Sequence, residues 1–91
     1  MQIEYTPEFE KRYRKLSLSI KRKSEKQISL FIRDPRYPSL HVEKLEPKSK
    51  QYWSLRIDKQ YRIIFRFLSE NTVVFVGVGE HDWIYKYTNR L

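Results

Sequence analysis

The sequence predicts an α+β domain of order β-α-α-β-β-β, an antiparallel sheet packed against an N-terminal helical hairpin. Three observations carry this. Apolar residues recur at helical spacing through the first third, at Phe9, Tyr13 and Leu16 and then at Ile20, Ile28 and Phe31. From Trp53 onward the period changes to two. The linkers between the later runs, Asp58-Lys59-Gln60 and Ser69-Glu70-Asn71, are short enough to join antiparallel neighbours.

The chain opens with a short strand, Gln2–Tyr5. Thr6-Pro7 then reads as a helix start. Threonine is a good N-cap, proline suits the first helical position, and Glu8 and Glu10 favour the positive end of the dipole. Ser17 to Ser19 interrupt the pattern, and Ser19 is expected to cap the second helix. There Ile20, Ser24, Ile28 and Phe31 share a stripe while lysines and arginines face out. Asp34-Pro35-Arg36-Tyr37-Pro38 ends that helix, because proline disfavours helix in the residue before it.

Residues 39–51 show no clear period. Val42 and Leu45 are core candidates, and Pro47 to Lys50 reads as an exposed turn. Trp53, Leu55 and Ile57 then face one way, with Ser54, Arg56 and Asp58 opposite. Tyr61, Ile63, Phe65 and Phe67 share one face of the next strand, with Arg62, Ile64 and Arg66 on the other. The last strand, Thr72 to Val78, is apolar on both faces, as an interior strand is. Gly77 and Gly79 are expected to loosen the chain just before His81.

Ninety-one residues predict one domain, 1–91, burying roughly 60–65% of its unfolded surface. Five Phe, seven Tyr and two Trp supply much of the core material. The absence of cysteine excludes disulfides, thiolate metal sites and thiol nucleophiles. No apolar leader and no run of about 18 apolar residues is present, so a cytoplasmic protein that does not enter membranes is expected. His41 and His81, far apart and without a paired carboxylate motif, make a weak ligand set, so no metal or other cofactor is expected.

Charge is uneven. Lys11, Arg12, Arg14, Lys15, Lys21, Arg22, Lys23 and Lys26 face one acid in the same stretch, Glu25, so that segment carries +7 of the net +8. Such a field favours polyanions and acidic protein surfaces, and these eight residues with Arg66 are the candidate nucleic-acid contacts. The plainer reading is a solvated helical face.

The run Trp53-Ser-x-x-Ile57-Asp58-x-x-Tyr61-Arg62-Ile63-Ile64-Phe65-x-Phe67, the ending Gly79-x-His81-Asp82-x-x-Tyr85 and the segment Asp34-Pro-Arg-Tyr-Pro-Ser-Leu40 resemble the RelE/ParE superfamily of toxins from toxin–antitoxin systems. The resemblance covers nearly the whole chain and implies the RelE-like microbial RNase fold. For the RelE branch it implies a ribosome-dependent mRNA endonuclease that needs no metal, in which the ribose 2′-hydroxyl attacks the adjacent phosphate. It also implies a cognate antitoxin, a toxin–antitoxin hetero-oligomer, and the ribosome and mRNA as partners.

By that resemblance Arg62 stabilises phosphate and Arg56 holds phosphate or helps the nucleophile. His81 becomes the acid or base, and Tyr85 stacks on a base or orients phosphate. Relatives carry two lysines where this chain has Ser54 and Arg56, or a further glutamate or histidine upstream. Glu43 and His41 are the two candidates for that base, and the choice stays open. Quieter readings exist: Arg62 pairing with Asp58, Asp82 capping a short terminal helix with Tyr85 packed down, and Trp83 docking on the sheet. ParE-type relatives poison DNA gyrase without nuclease activity. A degenerate member would bind only antitoxin or nucleic acid.

Overall fold

The structure, a computed structural model, describes residues 1–90. Helix α1 (Pro7–Arg14) starts where threonine and proline predict. The Thr6 hydroxyl oxygen accepts the Phe9 N–H at 3.1 Å and donates to the Val76 carbonyl, also at 3.1 Å. The cap therefore also ties α1 to the sheet. Helix α2 (Leu18–Arg33) is capped by Ser17, not by Ser19 as expected. Ser17 has extended backbone and accepts the Ile20 N–H at 3.2 Å, whereas Ser19 already lies inside the first turn. Asp34 ends the helix, as the following proline predicts.

Five strands form one sheet: β1 (Gln2–Tyr5), β2 (Glu43–Lys44), β3 (Trp53–Arg56), β4 (Tyr61–Ser69) and β5 (Thr72–Glu80), in the order β1-β5-β4-β3-β2. β2 to β5 are antiparallel, but β1 runs parallel to β5, so the sheet is mixed. Periodicity says which face a residue takes, not which neighbour a strand finds. Two further differences are the two-residue β2, too short to show a period, and helix α3 (His81–Arg90), which the order β-α-α-β-β-β lacks and only the reading of a short terminal helix anticipated.

The alternation on β3 and β4 is as predicted. Leu55, Ile57, Ile63 and Phe65 join Phe9, Phe31, Val73 and Phe75 in the core beneath the helical hairpin. Ile64 points the other way, into a smaller cluster with Leu45 and Ile84 of α3. Gln27 lies buried on α2, where its amide donates to the carbonyls of Arg56 (2.7 Å) and Ser39 (3.1 Å). That amide fastens the second helix to the end of β3.

A bulge decides how α3 attaches. Ile64 pairs with Gly77 and Phe65 with Phe75, so Val76 is an extra residue on β5. An added residue reverses which face the following positions take. Val73, Phe75 and Val78 consequently face the hairpin, while Gly77 and Gly79 face α3. Both glycines lie in regular strand without positive φ, so they do not loosen the chain. They leave room instead. A Cβ on Gly79 would overlap the Trp83 indole, and one on Gly77 would lie 3.2 Å from both Trp83 and Tyr87.

The indole is enclosed on its other side. The Arg12 guanidinium lies 4.1 Å from the Trp83 ring, and its Nε is held by Glu8 at 2.6 Å. Tyr87 stacks beside it at 4.6 Å and donates to the Val76 carbonyl at 3.2 Å.

Gly79→Ala is therefore expected to destabilise the protein by about 1–3 kcal/mol, the usual range for overpacking. At this size each kcal/mol lowers Tm by about 4–8 °C. Gly77→Ala should cost less. Thermal unfolding of both variants checks this, and a Gly79→Ala protein melting with the wild type would mean that α3 does not sit flush on the strand.

Candidate active site

Arg56 and Arg62 are direct cross-strand partners on β3 and β4. By the alternation they share the α3 face with Ser54 and Ile64. Arg62 is only 8% exposed. Its Nη1 donates to the carbonyls of Asp58 (2.5 Å) and Tyr61 (3.0 Å), both in the hairpin turn.

The Asp58 carboxylate is engaged elsewhere. Its Oδ1 accepts the N–H groups of Gln60 and Tyr61 at 2.9 Å each, and Oδ2 lies 3.3 Å from Lys23 Nζ. The ion pair between Arg62 and Asp58 considered from sequence does not form; only the carbonyl is used. Among the described residues no carboxylate lies within ion-pair reach of Arg56 or Arg62. The Arg56 Nε is buried without a partner. Burial first, and Arg56 second, lower the Arg62 pKa, while Glu43, Asp58 and Tyr85 act in the opposite direction. A guanidinium nevertheless keeps its proton in proteins. Two cations side by side without an ion pair can attract an anion.

The second wall comes from α3. The His81 N–H donates to the Gln60 carbonyl at 2.6 Å, joining the helix start to the β3–β4 turn. Between them lies a cleft of about 320 Å³ lined by Lys59, Gln60, Arg62, Glu80, His81 and Asp82. Four residues on, Tyr85 lies on the same helical face. Its hydroxyl is 3.4 Å from His81 Nε2, and Asp82 Oδ1 is 3.6 Å from Nδ1.

Glu43 joins this face from β2. It pairs with Ser54, and its charge acts on Arg62. His41 has left-handed backbone (φ 44°) and lines a separate hollow with Arg36, Tyr37 and Trp53. Pairing with Ser54 thus separates two candidates that sequence left equal. The period-two spacing of Glu43 and buried Leu45, which puts both on one face, was the available signal, but two residues carry it weakly.

The basic candidates divide. Lys11 and Lys15 line a groove next to the cleft, together with Arg12, which is held by Glu8 and Trp83. Arg14 lines a different groove beside Tyr5 and Phe9. Lys21 donates to the Arg14 carbonyl at 3.1 Å, and Lys23 meets Asp58. Arg22 and Lys26 are exposed on α2. Arg66 lies over the Tyr52 ring at 5.2 Å, outside the cleft.

The family profile of the HigB-like toxin, described as the RelE-like toxin of the type II toxin–antitoxin system HigB, matches residues 7–81. The chain belongs to this RelE-like toxin family. No curated protein matches the sequence significantly. Among solved structures it resembles the YoeB/ParE toxin from Agrobacterium tumefaciens at 21% identity and TM-score 0.72, over 89% of this chain and 99% of that one. It also resembles YafQ from E. coli strain BL21(DE3) at 21% identity and TM-score 0.69, over 92% and 97%. A third likeness is to the RelB-RelE antitoxin–toxin complex from Methanococcus jannaschii, at 19% and 0.67, over 92% and 96%. At these identities the likeness shows the fold. No described helix of this RelE-like chain is long and apolar enough to cross a membrane.

The turn that holds Arg62 should titrate. Partial burial alone would raise the Asp58 pKa, but the N–H groups of Gln60 and Tyr61 and the Lys23 ammonium outweigh it, so the value falls below the ordinary 3.8. A lowered folded value means that the unfolded chain binds the proton first. The contribution is complete above about pH 5 and is lost as pH falls through the folded value. Asp58→Asn should therefore be less stable than wild type near neutral pH, with a gap that narrows below the ordinary Asp pKa. Urea unfolding across that range checks it; a gap independent of pH would contradict the charge role.

Proposed function

We propose that this toxin is an endoribonuclease that cuts ribosome-bound mRNA by 2′-hydroxyl attack, and that a cognate antitoxin restrains it. One observation carries the reading: Arg62, without a carboxylate partner, lines one cleft with His81, while Arg56 pairs with Arg62 across the strands and the Tyr85 hydroxyl reaches His81.

Each group has a step. Glu43 takes the proton from the ribose 2′-hydroxyl, whose oxygen then attacks the neighbouring phosphorus. Arg56 and Arg62 stabilise the extra negative charge on the five-coordinate phosphorus, aided by the low exposure of Arg62. The bond to the 5′-oxygen breaks, and protonated His81 supplies that oxygen with its proton. The products are a 2′,3′-cyclic phosphate and a free 5′-hydroxyl. Tyr85 orients the His81 ring through Nε2. The nucleophile belongs to the substrate, so the protein need only supply base, acid and positive charge.

The basic cluster between Lys11 and Lys26 suits ribosomal RNA on one hand and an acidic antitoxin segment on the other. The RelB–RelE complex among the solved relatives supports an antitoxin partner. Translating ribosomes would place the activity in the cytoplasm.

Expression without antitoxin should arrest growth, with new transcript 5′ ends inside translated codons. Arg62→Ala is expected to lower cleavage by about 10²–10³, and His81→Ala by about 10²–10⁴. Glu43→Gln should lower it too, with folding and antitoxin binding unchanged in all three. Full toxicity of the Arg62 and His81 variants would remove the assignment. DNA breaks with intact messages would favour a gyrase poison instead.

A further inference from the structure

Beside the cleft runs a groove of about 390 Å³ between α1 and the end of β5, with an apolar floor that includes Leu16, Val78 and Trp83. Glu80 lines both hollows, so a chain leaving the cleft past that residue enters the groove directly. The three cations along it differ. Arg12 is already committed to Glu8 and the Trp83 ring. Lys11 on α1 and Lys15, which caps its C-terminal end, are both exposed, with no ion pair among the described residues.

We propose that this groove is a second phosphate-binding subsite, which holds the RNA strand next to the cut through Lys11 and Lys15. The proposal rests on the nuclease reading and adds a direction to it. The Glu80 carboxylate at the junction repels phosphate. What passes it is therefore a nucleoside, whose ribose hydroxyl or base amino group can donate to the carboxylate. The sequence of surfaces is Arg62 in the cleft, the Glu80 acid, then Lys11 and Lys15 in the groove, and it matches phosphate, sugar, phosphate along one strand. The other basic residues do not share this line. Lys23 is bonded to Asp58, Lys21 to the Arg14 carbonyl, and Arg14 opens onto a different groove.

The test is fluorescence anisotropy of a short labelled RNA carrying 2′-O-methyl groups throughout, which cannot be cut, across a salt series. Each phosphate contact on a single strand contributes about 0.7 to the slope of log affinity against log salt. The Lys11→Gln/Lys15→Gln protein should therefore lose about 1.4 from that slope, while an Arg14→Gln/Lys26→Gln control loses less than half as much. An unchanged slope, or equal losses in both variants, in a wild type that binds and cuts RNA would overturn the groove alone. A wild type that neither binds nor cuts RNA would take down the nuclease reading and the subsite together.

Discussion

The arrangement of this molecule depends on one contact, the Trp83 indole laid against Gly79. The bulge at Val76 makes it possible. Without that extra residue Gly77 and Gly79 would share a face with Val73 and Phe75 and open holes in the main core. With it they turn to the other face and leave a bed there. Arg12, braced by Glu8, covers the outer side of the ring, so α1, the sheet and α3 meet at one side chain. Two residues before Trp83 in the chain is His81, and two after it is Tyr85. The seating of the indole therefore fixes where both arrive.

The cleft is organised on the opposite logic. Like charges directly across a ladder destabilise a sheet, yet Arg56 and Arg62 occupy such a pair. The surrounding structure tolerates this by satisfying dipoles without neutralising charge. Carbonyls accept from Arg62, while the nearby Asp58 carboxylate is turned to backbone N–H groups and Lys23. A fold selected for stability alone would set that carboxylate against the guanidinium. Leaving both arginines unpaired keeps the site ready for an anion at some cost in stability.

Much of the architecture was legible because it rests on periodicity. The faces of β3 and β4, the end of α2 at Asp34 and the tight hairpins follow from alternation and from proline and turn chemistry. The parallel pairing of β1 was not, since nothing within Gln2–Tyr5 encodes its neighbour. Gly77 and Gly79 were misread for a related reason. A glycine pair before a new element suggests a joint, and only the register reveals that the missing Cβ atoms make room for a ring. Around the cleft, Arg56, Arg62, His81 and Tyr85 were legible through the resemblance to RelE-type toxins; their spacing alone would not have singled them out. Glu43 could not be separated from His41, because a two-residue strand declares its face only through the partner it finds, Ser54.

The +7 stretch shows why charge read from sequence measures attraction better than contact. Several of its members are locally occupied: Arg12 by Glu8, Lys21 by a carbonyl, Lys23 by Asp58. Their bonds do not remove them from the long-range field, which reaches about 8–10 Å at ordinary salt before screening takes hold. They therefore still speed the approach of a polyanion. Holding it is a different matter, since a phosphate must sit against a cation that has no better partner. Arg62 in the cleft, with Arg56 beside it across the strands, meets that condition, and Lys11 and Lys15 meet it in the groove. On the proposed nuclease reading, association and grip fall to different residues within one basic segment and its neighbouring strands.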